Sequence, residues 1–189
     1  MREIETYQDL GNRYIRSIKG IHPEWEVSFS QDKFLPQMID ELERELGGET
    51  DYHGVFIPNL KLDILIGIKK DSSAHISLVL LEVKVEALTL NFHAQLLGYL
   101  VSAPLIKCGI LACVNVGRFG GSYFSDEYDE LLSLNAMPMS FEVRTRQSNY
   151  TFRTGVTYGM YQSMIQWRSS NDENAICGFS QLCDYIEQI

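Results

Sequence analysis

Apolar and polar residues alternate along this chain with two different periods, and the switches between them mark its elements. Ile4, Tyr7, Tyr14, Ile15 and Ile18 fall on one face at about 100° per residue, which predicts a helix ending near Gly20 and Pro23. A short strand-like segment, Trp25 to Phe29, follows. Leu35, Met38, Ile39, Leu42 and Leu46 then form a tight helical stripe, stopped by Gly47-Gly48. Asn59 to Ile66 and Ile76 to Val85 read as two strands. The polar stretch Lys69 to Ser73 between them predicts an antiparallel hairpin. Asn91 to Val101 has helical length and a mostly apolar face before Pro104. The nearly continuous apolar run Gly109 to Val116 fits a central strand of a helix-covered sheet.

Beyond this run the signals are weaker. Phe119 to Ser122 reads as a loop, and Asp126 to Leu132 opens a helix with acids where the helix dipole favours them. Ser140 to Arg146 and Tyr150 to Arg153 alternate about Gln147-Ser148-Asn149, which predicts a second hairpin. Ser180 to Ile189 reads as a short terminal helix. The expectation is one α/β domain over residues 1–189: a mixed central sheet flanked by helices, with an extra C-terminal hairpin and helix.

Three charged residues break the apolar strands. Asp63 interrupts Leu62, Ile64, Leu65 and Ile66, and Glu82 and Lys84 follow the apolar run Ile76 to Leu81. Residues two apart on a strand share a face, so Glu82 and Lys84 project together while Val83 points away. Folding the hairpin at Lys69 to Ser73 can bring Asp63 near Glu82. Two carboxylates in a partly buried site repel, and a divalent cation relieves them. Oxygen ligands at few positions, completed by water and phosphate, suit Mg2+ or Mn2+. On the following helix Gln95 and Tyr99, four apart, share a face.

Strand with Asp63, strand with Glu82-x-Lys84, helix with Gln95-x-x-x-Tyr99, strand: this constellation resembles the PD-(D/E)xK nuclease superfamily, and its RecB-like branch through the Gln-x-x-x-Tyr helix. The resemblance covers a core of about residues 35–116. It implies a restriction-endonuclease-like fold and a metal-dependent nuclease cutting phosphodiester bonds of DNA, with RNA the second choice. Asp63, Glu82 and the Val83 carbonyl would bind Mg2+ or Mn2+. Lys84 would orient the attacking water, and Gln95 and Tyr99 would support the site or hold the substrate backbone. Relatives of this fold often take a further acidic ligand from the helix before the Asp strand, which points to Glu45, with Glu41 or Glu43 in reserve. His53 could reach the same site, as a histidine does in several RecB-like and viral cap-snatching nucleases. His93 reads as a packing or hydrogen-bonding residue of the helix.

Composition sets the outer limits. With 189 residues, 45% of them hydrophobic, the chain is long enough for one sizeable core. Cys108, Cys113, Cys177 and Cys183 form no Cys-x-x-Cys pair and read as small buried hydrophobes. No apolar run approaches membrane-spanning length and the start lacks a signal-peptide segment, so the expectation is an intracellular, cytoplasmic protein with no membrane partner. A formal net charge of −9 opposes polyanion binding over any wide footprint. A local cationic stripe is therefore required, for which Arg144, Arg146 and Arg153 on the C-terminal hairpin are the candidates. The same charge supports a second reading, a nuclease-fold binding or assembly subunit with a protein partner. A third is a cap-snatching-type RNA endonuclease, compatible with His53.

Overall fold

The structure, a computed structural model, describes residues 3–50, 56–70, 73–85 and 89–113, and near the C-terminus 182–184, 186 and 187. The predicted helices and strands of the first 113 residues all form. Helix α1 spans Ile4–Ile21 and buries Tyr7, Leu10, Tyr14 and Ile18, one residue per turn. Ile4, expected on that face, stays 45% exposed at its start. The His22 N–H closes the helix on the Ile18 carbonyl, and Pro23 follows. Strand β1, Glu26–Phe34, runs five residues past the expected end at Phe29. Its second half, Ser30-Gln31-Asp32-Lys33, carries no apolar alternation, and pairing with a neighbouring strand keeps it extended.

Helix α2, Leu35–Leu46, follows without a loop; the Gln37 side chain accepts the Phe34 N–H at its start. Gly47 ends it at a φ of 57°, a left-handed conformation that glycine adopts without a Cβ clash. After the two-residue β2, Glu49–Thr50, come β3 (Lys61–Lys69), β4 (His75–Lys84), α3 (Leu90–Ser102) and β5 (Ile106–Cys113). The Thr89 hydroxyl caps α3 by accepting the Phe92 N–H.

These elements make a mixed α/β fold around a five-stranded sheet. β1 is antiparallel to β3, and β3 to β4, as the hairpin prediction requires. β5 returns parallel to β4 after α3. β2 lies parallel to the start of β4, along the edge that β5 takes further on.

The alternation of β4 divides the core in two. Val79, Leu81 and Val83 join Tyr7, Leu10, Tyr14 and Ile18 of α1, together with Leu182, Cys183 and Ile186 near the C-terminus. Ile76, Leu78 and Leu80 join α2 and α3 on the opposite face. At Gly109 a Cβ would lie 2.8 Å from Leu100 Cδ1, so α3 packs as closely as it does because β5 has glycine there. The Lys70 ammonium bonds the Ile186 carbonyl and ties the C-terminal residues to the hairpin turn.

Cys108 and Cys183 are buried free thiols, as expected, and burial pushes both up to about 12. Leu182–Asp184 and Ile186–Glu187 are helical, in keeping with the terminal helix expected there. The expected second hairpin with Arg144, Arg146 and Arg153, the helix from Asp126, and the Cys113 and Cys177 side chains lie outside the described residues. Among the described residues no helix is long and apolar enough to cross a membrane.

Candidate active site

The site begins where the sheet stops being regular. β3 and β4 pair from Lys69↔Ile76 to Ile64↔Leu81, and the next pair in that register, Asp63 and Glu82, is not formed. β4 meanwhile goes on pairing with β5 through Glu82↔Leu111, Val83↔Ala112 and Lys84↔Cys113. The two strands therefore part at the acids while β4 stays anchored on its other side. On the β1 side, the register passes from Gln31↔Ile64 to Lys33↔Leu62, skipping Asp32 and Asp63. Asp32 has a φ of 52°, a left-handed position inside a strand, and its carboxylate pairs with Lys61 at 2.7 Å. Side-chain alternation fails at the same point. Leu62 and Leu65 lie in one cluster and Ile64 between them in the other, whereas strict alternation would put Leu62 with Ile64.

Asp63 sits in the opening with both oxygens engaged. Oδ1 accepts the Tyr7 hydroxyl at 2.6 Å and Oδ2 accepts the Val83 N–H at 2.8 Å. The side chain thus takes over a backbone donor beside the point where strand pairing ends. Glu82 is 2% exposed and bonds the Lys84 ammonium at 2.7 Å. The spacing of two puts both on one face, as predicted. Lys84 in turn lies over the Phe92 ring of α3, 4.9 Å from its centroid.

The electrostatics follow from this crowding. Burial, then the Asp63 charge, pushes the Glu82 carboxyl up to about 7, against the lowering effect of Lys84. Burial disfavours the Lys84 ammonium, but Glu82, Asp63 and Glu3 together outweigh it and hold its pKa above the usual lysine value. Tyr7 is pushed well above the ordinary tyrosine range, first by burial and then by its bond to Asp63. Glu3, Asp63 and Glu82 all act on the Lys84 ammonium, and the repulsion of Glu82 by the other two carboxylates favours a proton on it.

No family model, curated protein or solved structure matches this chain. The reading of the site therefore stands on its own geometry.

Asp63, Glu82 and Lys84 are brought together. Gln95 and Tyr99 lie half-buried on α3, and the Gln95 amide donates to the Tyr99 hydroxyl at 2.8 Å. They follow Phe92 along the helix and are bonded to each other, and Tyr99 packs against the core cluster shared by α2 and α3. The α2 acids are engaged elsewhere. Glu45 accepts a bond from Ser28, Glu41 holds Ser30 and Lys33, and Glu43 accepts from the Thr50 N–H and hydroxyl. Ser28 pairs with Gly67, four residues along β3 from Asp63 and so roughly 13 Å away. Helix α2 thus lays its acids along β1 and β2, and Glu45 serves the edge strand. The acid that acts on Glu82 from a helix is Glu3, at the start of α1. His53 and the His93 side chain are outside the described residues.

Sequence reasoning missed Glu3, Tyr7 and Phe92. Tyr7 looked like one more stripe residue, and its hydroxyl gave no separate signal. The spacing of Glu3 and Tyr7, one helical turn, was the available hint that an acid and a phenol share a face.

The donor set, carboxylate oxygens from two neighbouring strands where their pairing ends, is of the kind a hard divalent cation takes. Among the described residues no group of three or more His, Cys, Asp or Glu side chains is placed to hold a metal ion. A cation at the opening would have Asp63 and Glu82 as its carboxylate ligands and would complete its shell with water or phosphate.

Proposed function

We propose that this chain is a divalent-metal-dependent nuclease of the PD-(D/E)xK superfamily, RecB-like branch, hydrolysing phosphodiester bonds of DNA in preference to RNA. The observation that carries the reading is the convergence of Asp63 with Glu82 and Lys84 where β3 and β4 separate. A mixed sheet flanked by helices, with the Gln95–Tyr99 pair on the helix after the Lys84 strand, supports a restriction-endonuclease-like fold.

Asp63, Glu82 and the Val83 carbonyl would hold Mg2+ or Mn2+, with Glu3 near enough in charge to assist. When bound, such an ion lowers the pKa of its water and polarises the phosphate. The chain's own residues do the rest. Val83 and Tyr7 fix Asp63 by hydrogen bonds, and Phe92 keeps Lys84 against Glu82. Lys84, whose ammonium bonds Glu82, would with a cation on that carboxylate be free to donate a hydrogen bond to the attacking water or to a phosphate oxygen.

The net charge of −9 favours a second reading, a nuclease-fold assembly subunit docking a protein partner. One experiment separates them. Labelled single- and double-stranded DNA and RNA are incubated with Mn2+ or chelator, beside thermal melts of wild type and Asp63→Ala. The nuclease reading expects Mn2+-dependent cutting and a Mn2+-dependent rise in melting temperature, both lost in Asp63→Ala. An equal rise in the mutant removes the metal assignment, and bound metal without cutting hands the chain to the assembly reading.

A further inference from the structure

We propose that Tyr7 is a positioning residue of this site: its hydroxyl holds the Asp63 carboxylate, in the opening between β3 and β4, in the orientation that binds a divalent cation. This rests on the metal-site reading above.

Asp63 is the β3 residue with least backbone support. The β3–β4 ladder ends at Ile64↔Leu81, and the β1–β3 ladder skips the Asp32–Asp63 position. An aspartate there could turn about its Cα–Cβ and Cβ–Cγ bonds. Two donors from different elements prevent this. Val83 N–H comes from the adjacent strand, and the Tyr7 hydroxyl from a helix 56 residues away in sequence.

A carboxylate held at one oxygen can still pivot about that contact; held at both, it is fixed. Each oxygen has two lone-pair sites, so one donor on each leaves one on each for a cation. The anchor is firm because Tyr7 is 4% exposed and belongs to the core cluster that also holds Leu10, Tyr14, Ile64 and Val83. Helix α1 thereby becomes part of the site rather than packing alone. Its start also carries Glu3, which acts on Glu82 and Lys84.

Tyr7→Phe keeps the ring and removes only the donor. Groups that orient metal ligands typically affect metal affinity or activity by roughly 10- to 100-fold when removed. Titration calorimetry with Mn2+ alone should show Tyr7→Phe binding about 10-fold or more weakly than wild type. Half-saturating Mn2+ for DNA cleavage should rise in parallel, with the rate recovering towards wild type at saturating Mn2+. Leu10→Ala is the control for packing: it loosens the same helix face without touching the hydroxyl, and should leave Mn2+ affinity within about twofold while lowering the melting temperature.

Wild-type Mn2+ affinity in Tyr7→Phe overturns the proposal, and so does an equal loss in Leu10→Ala. A cleavage defect that saturating Mn2+ does not recover also overturns it. If wild type itself binds no Mn2+, the metal-site reading falls first and this inference with it. A bound wild type and an unchanged Tyr7→Phe would sink Tyr7 alone.

Discussion

The two ends of the β3–β4 ladder are built from neighbouring residues and obey opposite rules. From Lys69↔Ile76 to Ile64↔Leu81 the strands pair residue for residue, and Ile64, Leu65, Ile66, Leu78, Val79, Leu80 and Leu81 are all buried on one face or the other. One residue further, pairing stops and an aspartate, a glutamate and a lysine take the places of aliphatic side chains. Buried charge is tolerable where donors are present to meet it. The parted strands supply them: a Val83 N–H for Asp63, and an ammonium for Glu82 set against an aromatic face. The regular end supplies rigidity, and the open end gives some of it up to hold three charged side chains together.

Three perturbations test that division. The largest effect is expected from Lys84→Ala at the open end. Removing a well-placed cation should lower cleavage about 100- to 1,000-fold while Mn2+ binding persists, read by single-turnover kinetics beside calorimetry. Loss of Mn2+ binding in this variant would show that Lys84 builds the site rather than acting in it.

At the regular end, Ile66→Ala should do the reverse. Ile66 is 0% exposed, and truncating a buried isoleucine costs about 2–5 kcal/mol. Urea melts should record that loss while Mn2+ affinity of the folded protein stays near wild type. If affinity falls as well, the two ends are not independent.

The smallest effect concerns pH. Glu82 is held near 7 in the folded chain against an ordinary value of 4.5. Between those values the folded state keeps a proton that the unfolded state has released, so stability falls as pH rises from about 4.5 to 7 and then levels. The loss is at most about 3 kcal/mol, and Glu82→Gln should flatten it in melts run with chelator from pH 4.5 to 8. Equal slopes for wild type and Glu82→Gln through this window would show instead that Lys84 keeps Glu82 ionised throughout.

Much of this was legible in the residues. The stripe Leu35, Met38, Ile39, Leu42 and Leu46 became α2 with its stop at Gly47, and the polar turn after Lys69 gave the antiparallel hairpin that sets Asp63 beside Glu82. Glu82 and Lys84 share a face because strand geometry requires it. The second half of β1 was not legible, since an edge strand held by pairing needs no apolar alternation of its own. Nor was the placement of acids. Glu45 and Glu3 both stand near helix ends, and choosing between them requires knowing which helix covers which end of the sheet.

Periodicity and spacing are local, so the sequence by itself determined the elements, the hairpin and the pairing of charges two residues apart. The site needed long-range register. Only tertiary structure decided that β3 and β4 part at Asp63, that a phenol on α1 reaches that carboxylate, and that Phe92 lies under Lys84. Those contacts depend on how helices settle on the two faces of a twisted sheet, and no short stretch of the chain encodes that.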